Sequence, residues 1–364
     1  MSFILNSSSS SCGRKGVIKL NELKYETPLI FQYSRNGSLP HLDWNLCQRY
    51  LNDHNSPLLI PLSTCIGMTS YLQSLNLDMR KFCSIPKERA SFVSVYDPLK
   101  PSPSGFNYKA GVSVWTSGGR TQISAHDFIQ VLNLLKPDGF QSLCDSDTPV
   151  DASKKRLDHS VKRTIGYLDQ VMAQNHNSTL FGSIEGGFDL KFRLISVQLT
   201  KEREVNGFVF EGLTDYVKDN EQLQKMIKLT IEGIPEDKPR AVFGCFRPEE
   251  IHSLIKLGFD IFDSSYATFL SEKGKALLID IQSNENQLEP VTTSLLLDLK
   301  ESKFKEDFSI ISKDCKCYSC QKGFTKGYLN HLLNCKEMSA TVLLMLHNLH
   351  VLYEWMDKLK NGSH

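Results

Sequence analysis

Over residues 92–283 the chain alternates short β-branched and aromatic runs with stretches whose apolar positions recur at helical spacing. That is the pattern of repeated strand–helix units on a parallel sheet. Residues 124–136 place Phe128, Val131, Leu132 and Leu135 on one face, open on Ser124 with Asp127 three positions on, and stop before Pro137. A serine and an early acid satisfy the free N–H groups of a starting helix, and a proline cannot continue one. Residues 140–143 then read as a strand, followed by a helix carrying Leu157, Val161, Ile165, Leu168 and Met172. Further strands are predicted at 180–184, 207–210 and 240–243, each with a helical stretch behind it. The helix predicted at 248–257 has Pro248 in its first turn and Gly258 just past its end, the expected asymmetry of helix termini. Closer to the N-terminus, 58–62 reads as a buried strand and 37–44 as a loop.

The segments just past these strands are chemically uniform. Cys144-Asp145-Ser146-Asp147, Glu185-Gly186-Gly187, Glu211-Gly212-Leu213, Gly244-Cys245-Phe246-Arg247 and Asp263-Ser264-Ser265 gather acids and glycines at strand C-termini. A (β/α)8 barrel places its functional loops there. The predicted class is therefore α/β, a (β/α)8 TIM-type barrel over residues 14–310, with a C-terminal metal-binding subdomain over 311–364. Within the latter a long amphipathic helix carries Val342, Leu346, Leu349, Tyr353 and Met356 on one stripe. Residues 1–13, a short apolar patch from Phe3 to Leu5 and a serine run, are expected to be a disordered tail too short and polar for a secretory leader.

Composition narrows the function. Among 364 residues, 42 Lys and Arg oppose 41 Asp and Glu, for a formal charge of +1. No global field draws this chain to nucleic acid, so any RNA contact must be local or shared. Lys154, Lys155, Arg156, Lys162 and Arg163 form one local basic candidate. No apolar run reaches the ~20 residues needed to span a bilayer. Ten cysteines could suggest disulfides, but six are scattered singly through apolar surroundings, which fits a reducing, intracellular compartment.

Three of the others form Cys315-Lys316-Cys317-Tyr318-Ser319-Cys320. Thiolates at that spacing converge on one tetrahedral ion, and a fourth ligand must come from elsewhere. His347, His350, His331 and Cys335 are the downstream candidates. Four protein ligands close the coordination sphere, so such a metal would be structural.

This cluster, the run Tyr328-Leu329-Asn330-His331-Leu332 and the run Leu343-Leu344-Met345-Leu346-His347-Asn348 together resemble the zinc subdomain of the tRNA-guanine transglycosylase family. The resemblance implies one zinc ion held by Cys315, Cys317, Cys320 and His347, with one extra residue between Cys320 and His347. It extends dilutely from about Thr27 to Trp355. Asp145-Ser146-Asp147-Thr148-Pro149 is similar to the family's Asp-Glu-Cys-Thr-Pro loop, and Gly258-Phe259-Asp260-Ile261-Phe262-Asp263 to the strand that delivers its nucleophile.

The family's base exchange needs one Asp to attack the ribose anomeric carbon and a second to move protons to and from the bases. Asp263 aligns with the nucleophile, but Ser264-Ser265-Tyr266-Ala267-Thr268 replaces the Pro-Thr-Arg that should come next. The second acid is missing in either alignment. Thr116-Ser117-Gly118-Gly119-Arg120 has Thr where the acid belongs, and otherwise the loop is replaced near residues 83–96. Glu185 stands where the family reads the purine edge with Gln. The resemblance thus implies a non-catalytic accessory paralogue with Asp263 as a relic. Such a subunit forms a heterodimer with a catalytic queuine tRNA-ribosyltransferase and helps position tRNAs with GUN anticodons for exchange of guanine by queuine at the wobble position. It implies a cytoplasmic protein, peripheral where it meets the mitochondrial outer membrane. The rival expectation is a divergent active transglycosylase using Asp263 with Asp145 or Asp147.

Overall fold

The computed structural model describes residues 2–9, 13–51, 55–100, 102–103, 105–146, 148–149, 151–174, 176–213, 220–282 and 291–361. Eight parallel strands close into a barrel in sequence order. They are β1 (Leu29–Tyr33), β2 (Leu58–Pro61), β3 (Ser91–Ser94), β4 (Gly139–Gln141), β5 (Thr179–Ile184), β6 (Gly207–Phe210), β7 (Arg240–Val242) and β8 (Ile261–Asp263). The strands from β3 onward alternate with α1 (Ala125–Leu135), α2 (Lys154–Met172), α3 (Leu190–Lys201), α4 (Glu221–Glu232), α5 (Pro248–Leu257) and α6 (Ser265–Lys273). Side chains alternate across the barrel wall, as a two-residue repeat requires. Leu58, Ile60, Val93, Phe140, Phe208 and Phe262 face the helices, while Leu59, Phe92, Phe181, Val209 and Ile261 fill the interior. Phe92 sits at the centre, edge-on to Phe181 at 5.0 Å and to Phe31 at 5.6 Å.

The helix ends obey local chemistry. Ser124 and Asp127 form a reciprocal capping box at the start of α1. Gly258 ends α5 at φ +104°, where a Cβ would come within 3.1 Å of the Arg240 guanidinium.

Of the tail expected at 1–13, the described residues 2–9 and 13 lie in strands instead. Ser2–Ser9 forms a strand paired antiparallel to Gly13–Leu20, which pairs in turn with Leu23–Thr27. This sheet closes the N-terminal end of the barrel. Phe3, Ile18, Leu20 and Tyr25 share one buried cluster with Phe31, Phe92 and Phe181. The patch around Phe3 is short because it alternates, Phe3 being buried and Ile4 61 % exposed. Arg14 fastens the sheet from beneath. Its guanidinium pairs with Asp260 at 2.9 Å, donates to the Glu236 and Lys238 carbonyls, and lies over the Phe3 ring.

After α6 an antiparallel hairpin, Lys275–Gln282 with Val291–Asp298, leads to α7 (Lys326–Asn334) and α8 (Met338–Asn361). The core around the three clustered cysteines takes in Ala276, Leu299, Phe304, Ile311, Leu329 and Leu344. It therefore reaches back across the boundary expected at 311. α8 buries two faces. Leu343 and Leu344 meet that smaller core, while Leu346, Leu349, Tyr353 and Met356 join the core of the barrel. The apolar stripe seen in the sequence packs on the barrel.

Candidate metal centre and barrel mouth

Cys317 caps the short helix Tyr318–Gln321, its Sγ accepting from the Cys320 backbone N–H at 3.3 Å, while the Cys317 N–H points at Cys315 Sγ at 3.5 Å. The tight turn brings the three sulfurs together, and α8 delivers His347 to them. His347 Nδ1 lies 3.6, 3.4 and 3.6 Å from the sulfurs of Cys315, Cys317 and Cys320. The four ligand atoms all fall within 4.8 Å of one another, and all four residues are buried. A tetrahedral ion with sulfur at about 2.3 Å and nitrogen at about 2.0 Å requires S···N edges of roughly 3.5 Å. The cluster has those edges. His347 Nε2 is 2.9 Å from the Leu277 carbonyl, so its proton resides there and leaves the Nδ1 lone pair for the cluster. Asn348 accepts from the Leu277 N–H and donates to Ser271 Oγ and the Lys275 carbonyl, pinning this turn of α8 to the hairpin. The other candidates stand apart. His331 and Cys335 face each other on the surface of α7, and His350 pairs with Glu354.

At the opposite end from the N-terminal sheet, the predicted strand-end loops converge on the barrel mouth. Asp263 is 2 % exposed and held by backbone, Oδ1 accepting from the Ser265 N–H at 2.8 Å and Oδ2 from the Gly244 N–H at 2.7 Å. Burial pushes its carboxyl up to about 6, against the pull of those hydrogen bonds. Asp145, also buried, is held in a cage. Arg156 grips it with two bonds of 2.9 and 2.6 Å, Arg163 at 3.1 Å and Asn107 at 3.1 Å. Two of the five basic residues singled out in the sequence are thus committed to this carboxylate. Asp147 lies outside the described residues.

Glu185 is fully buried, and neither of its carboxylate oxygens has a hydrogen-bond partner among the described residues. Desolvation, reinforced by neighbouring Glu211, raises it well above the usual range. Glu211 rises to about 7 through burial, although Gln141 donates to it at 2.5 Å. Arg193 is buried beside them yet spends its donors on the carbonyls of Ile184, Gly187 and Glu211.

One acid at the mouth was not singled out by the sequence motifs. Asp97, three residues past β3, is buried and accepts from the Tyr33 hydroxyl and the Leu99 N–H, each at 2.9 Å. It is close enough to contribute to the raised Asp263. Its signal was available, since it comes after a barrel strand as Asp145, Glu185 and Glu211 do. Thr116-Ser117-Gly118-Gly119-Arg120, by contrast, spans the turn of a surface hairpin, Val112–Thr116 with Gly119–Ile123. The missing acid is not to be sought there.

Residues 9–362 match the family model described as Queuine tRNA-ribosyltransferase. The chain belongs to that family. Among curated relatives, a protein of Ixodes scapularis is 36 % identical over 93 % of this chain and 89 % of its own length. One of Xenopus tropicalis is 31 % identical over 96 % and 91 %, and one of Caenorhabditis elegans 30 % identical over 94 % and 92 %. Each is named queuine tRNA-ribosyltransferase accessory subunit 2. In this chain the closed barrel carries a buried Cys3His group at one side and, at its mouth, the buried carboxyl groups of Asp97, Asp145, Glu185 and Asp263.

Proposed function

We propose that this chain is the non-catalytic subunit of a two-subunit queuine tRNA-ribosyltransferase, pairing with a catalytic paralogue and helping to hold the tRNA whose wobble guanine is exchanged for queuine. The observation that carries this reading is the state of the mouth. A nucleophilic carboxylate must reach an anomeric carbon at van der Waals distance. Asp263 is buried with both oxygens bound to backbone, and Asp145 already holds two guanidinium groups. The names of relatives that align over nearly the whole chain support the same assignment.

Asp97 favours the rival reading, an active divergent transglycosylase, because it restores a second carboxylate near Asp263. It supplies an acid but no access. Base exchange on a tRNA with a GUN anticodon separates the two. The isolated chain is expected to incorporate no labelled guanine, and the mixture with its paralogue to be active as a one-to-one complex by light scattering. Turnover by the isolated chain would overturn the proposal.

Three thiolates and an imidazole in a closed tetrahedral arrangement suit zinc, and with no open position the ion would stabilise the subdomain and supply no chemistry to the mouth. The same subdomain offers the partner face. Tyr318, Phe324 and Tyr328 form an aromatic row with successive ring centroids 6.0 Å apart, and Phe308 nearby in sequence is 81 % exposed. Tyr318 and Phe324 are half-buried against the core around the cysteines, while Tyr328 and Phe308 are exposed, and exposed aromatic groups anchor protein interfaces. The reading puts the protein in the cytoplasm, peripheral where it meets the mitochondrial outer membrane. No helix among the described residues is long and apolar enough to cross a bilayer.

A further inference from the structure

Gly166 lies in the interior of α2, a 19-residue helix. Glycine there is unfavourable relative to alanine, because the unfolded chain loses more backbone freedom on entering the helix. A close neighbour commonly explains such a glycine. Here a Cβ would meet nothing within 4 Å among the described residues, so no contact among them requires the missing side chain.

Gly166 instead lines a groove of about 340 Å³ on the outer side of α2, together with Lys109, His159, Lys162, Arg163 and Gln170. Among the described residues, every ionisable side chain lining it is a lysine, an arginine or a histidine. Arg163 is fixed in place by its bonds to Asp145 and the Asn107 carbonyl. Lys162 pairs with Asp158 at 2.7 Å, but both are well exposed, and a surface pair of this kind is readily exchanged for a stronger anion. A cationic wall beside a stretch of uncovered helix backbone suits a phosphodiester, which needs donors for its oxygens and room for the sugar.

We propose that this groove is a binding site for the phosphate backbone of the tRNA. The inference rests on the accessory-subunit reading and names the surface it uses. RNA is favoured over an acidic peptide by position. α2 is the helix whose Arg156 and Arg163 reach Asp145 at the barrel mouth, so an RNA loop presented near a mouth passes along it. Asp145 thereby acquires a second consequence: its cage anchors one wall of the groove.

The test uses the reconstituted heterodimer and a tRNA with a GUN anticodon, with affinity measured across a salt series. Lys109→Glu with Lys162→Glu is expected to weaken binding about tenfold near 0.1 M salt and to lower the salt slope by about one to two, the counterion release of one or two phosphates. Gly166→Met changes no charge. It is expected to keep wild-type thermal stability while also weakening tRNA binding, and Lys228→Glu on α4 is expected to change neither. Unchanged tRNA affinity and slope in both groove variants, with the complex intact, would overturn the inference. So would loss of heterodimer formation in the groove variants with tRNA binding otherwise preserved, which would make the groove a protein contact. A wild-type pair that fails to associate or to bind tRNA at all defeats the underlying assignment, and this inference with it.

Discussion

Replacing Arg14 by methionine removes one half of a buried ion pair while leaving much of the length of the side chain. Arg14 and Asp260 are 7 % and 0 % exposed at their side chains and meet at 2.9 Å. Leaving a buried charge without its partner costs ~3–5 kcal/mol. Among the described residues Asp260 keeps the Arg240 backbone N–H, at 2.8 Å, and the nearby charge of the Arg240 side chain, so compensation is partial. The loss depends on pH in a definite direction. Burial raises Asp260 to about 7 even with Arg14 beside it, so its folded value lies above its unfolded one. Its contribution is fully present below the unfolded value and is lost as pH rises through about 7. Without Arg14 the folded value climbs further. At pH 8 the variant must therefore bear the full cost of a buried anion or of protonating it. At pH 5.5 Asp260 is mostly neutral in both proteins, and the loss shrinks to about 1–2 kcal/mol for the carbonyl hydrogen bonds and the contact with Phe3. For a chain of this size roughly 2 °C of melting temperature accompanies each kcal/mol. Because the variant can protonate Asp260 instead of burying its anion, linkage limits the extra loss at pH 8 to about 1.4 kcal/mol, so it should melt ~5–7 °C below wild type at pH 8 and ~2–4 °C below at pH 5.5, by calorimetry or circular dichroism. Arg14→Met with Asp260→Asn should recover much of the difference at pH 8. Equal melting of Arg14→Met and wild type at both pH values would refute the docking of the N-terminal sheet on the barrel floor.

Cys317→Ser should lower zinc content below about a tenth of an equivalent and melting temperature with it, since binding of a structural metal is coupled to folding. Full zinc by elemental analysis after His347→Ala would remove that histidine from the ligand set. In the reconstituted complex, Asp263→Asn should leave base exchange within about a factor of two, whereas loss of a true nucleophile costs many orders of magnitude. A collapse in rate with the complex intact would return the active-enzyme reading to the front. Tyr328→Ala with Phe308→Ala, both exposed, should weaken heterodimer formation about a hundredfold or more while leaving the melting of the isolated chain near wild type. Unaltered association by light scattering would move the partner face elsewhere.

The parts of this protein legible in its sequence are those set by neighbours along the chain. Ser124 and Asp127 cap α1 because three residues of helix bring them together, and Pro248 and Gly258 bound α5 for equally local reasons. Cys315, Cys317 and Cys320 lie within one turn, so their convergence needs no tertiary argument. The choice of His347 over His331, Cys335 and His350 did need one, since only packing of α8 against both cores and the anchoring of Asn348 bring that ring to the sulfurs.

The alternation of strands and helices, the gathering of acids at strand ends and the spacing of the thiols pointed to the barrel, the location of its mouth and the cysteine cluster from sequence alone. The tertiary structure decided which charges are available. Arg156 and Arg163 read as part of a basic surface until the end of β4 places Asp145 between them. Asp97 had no partner in any sequence motif, and closure of the barrel put it beside Tyr33 and near Asp263. The segment 1–13 looked like a tail because an alternating strand of this length carries too few apolar residues to show a core of its own. It contributes a folded strand because the closed ring of barrel strands leaves an open apolar floor, and Phe3, Ile18 and Leu20 fill it. Burial and charge pairing arise between residues far apart along the chain, and those distances exist only once the barrel has closed.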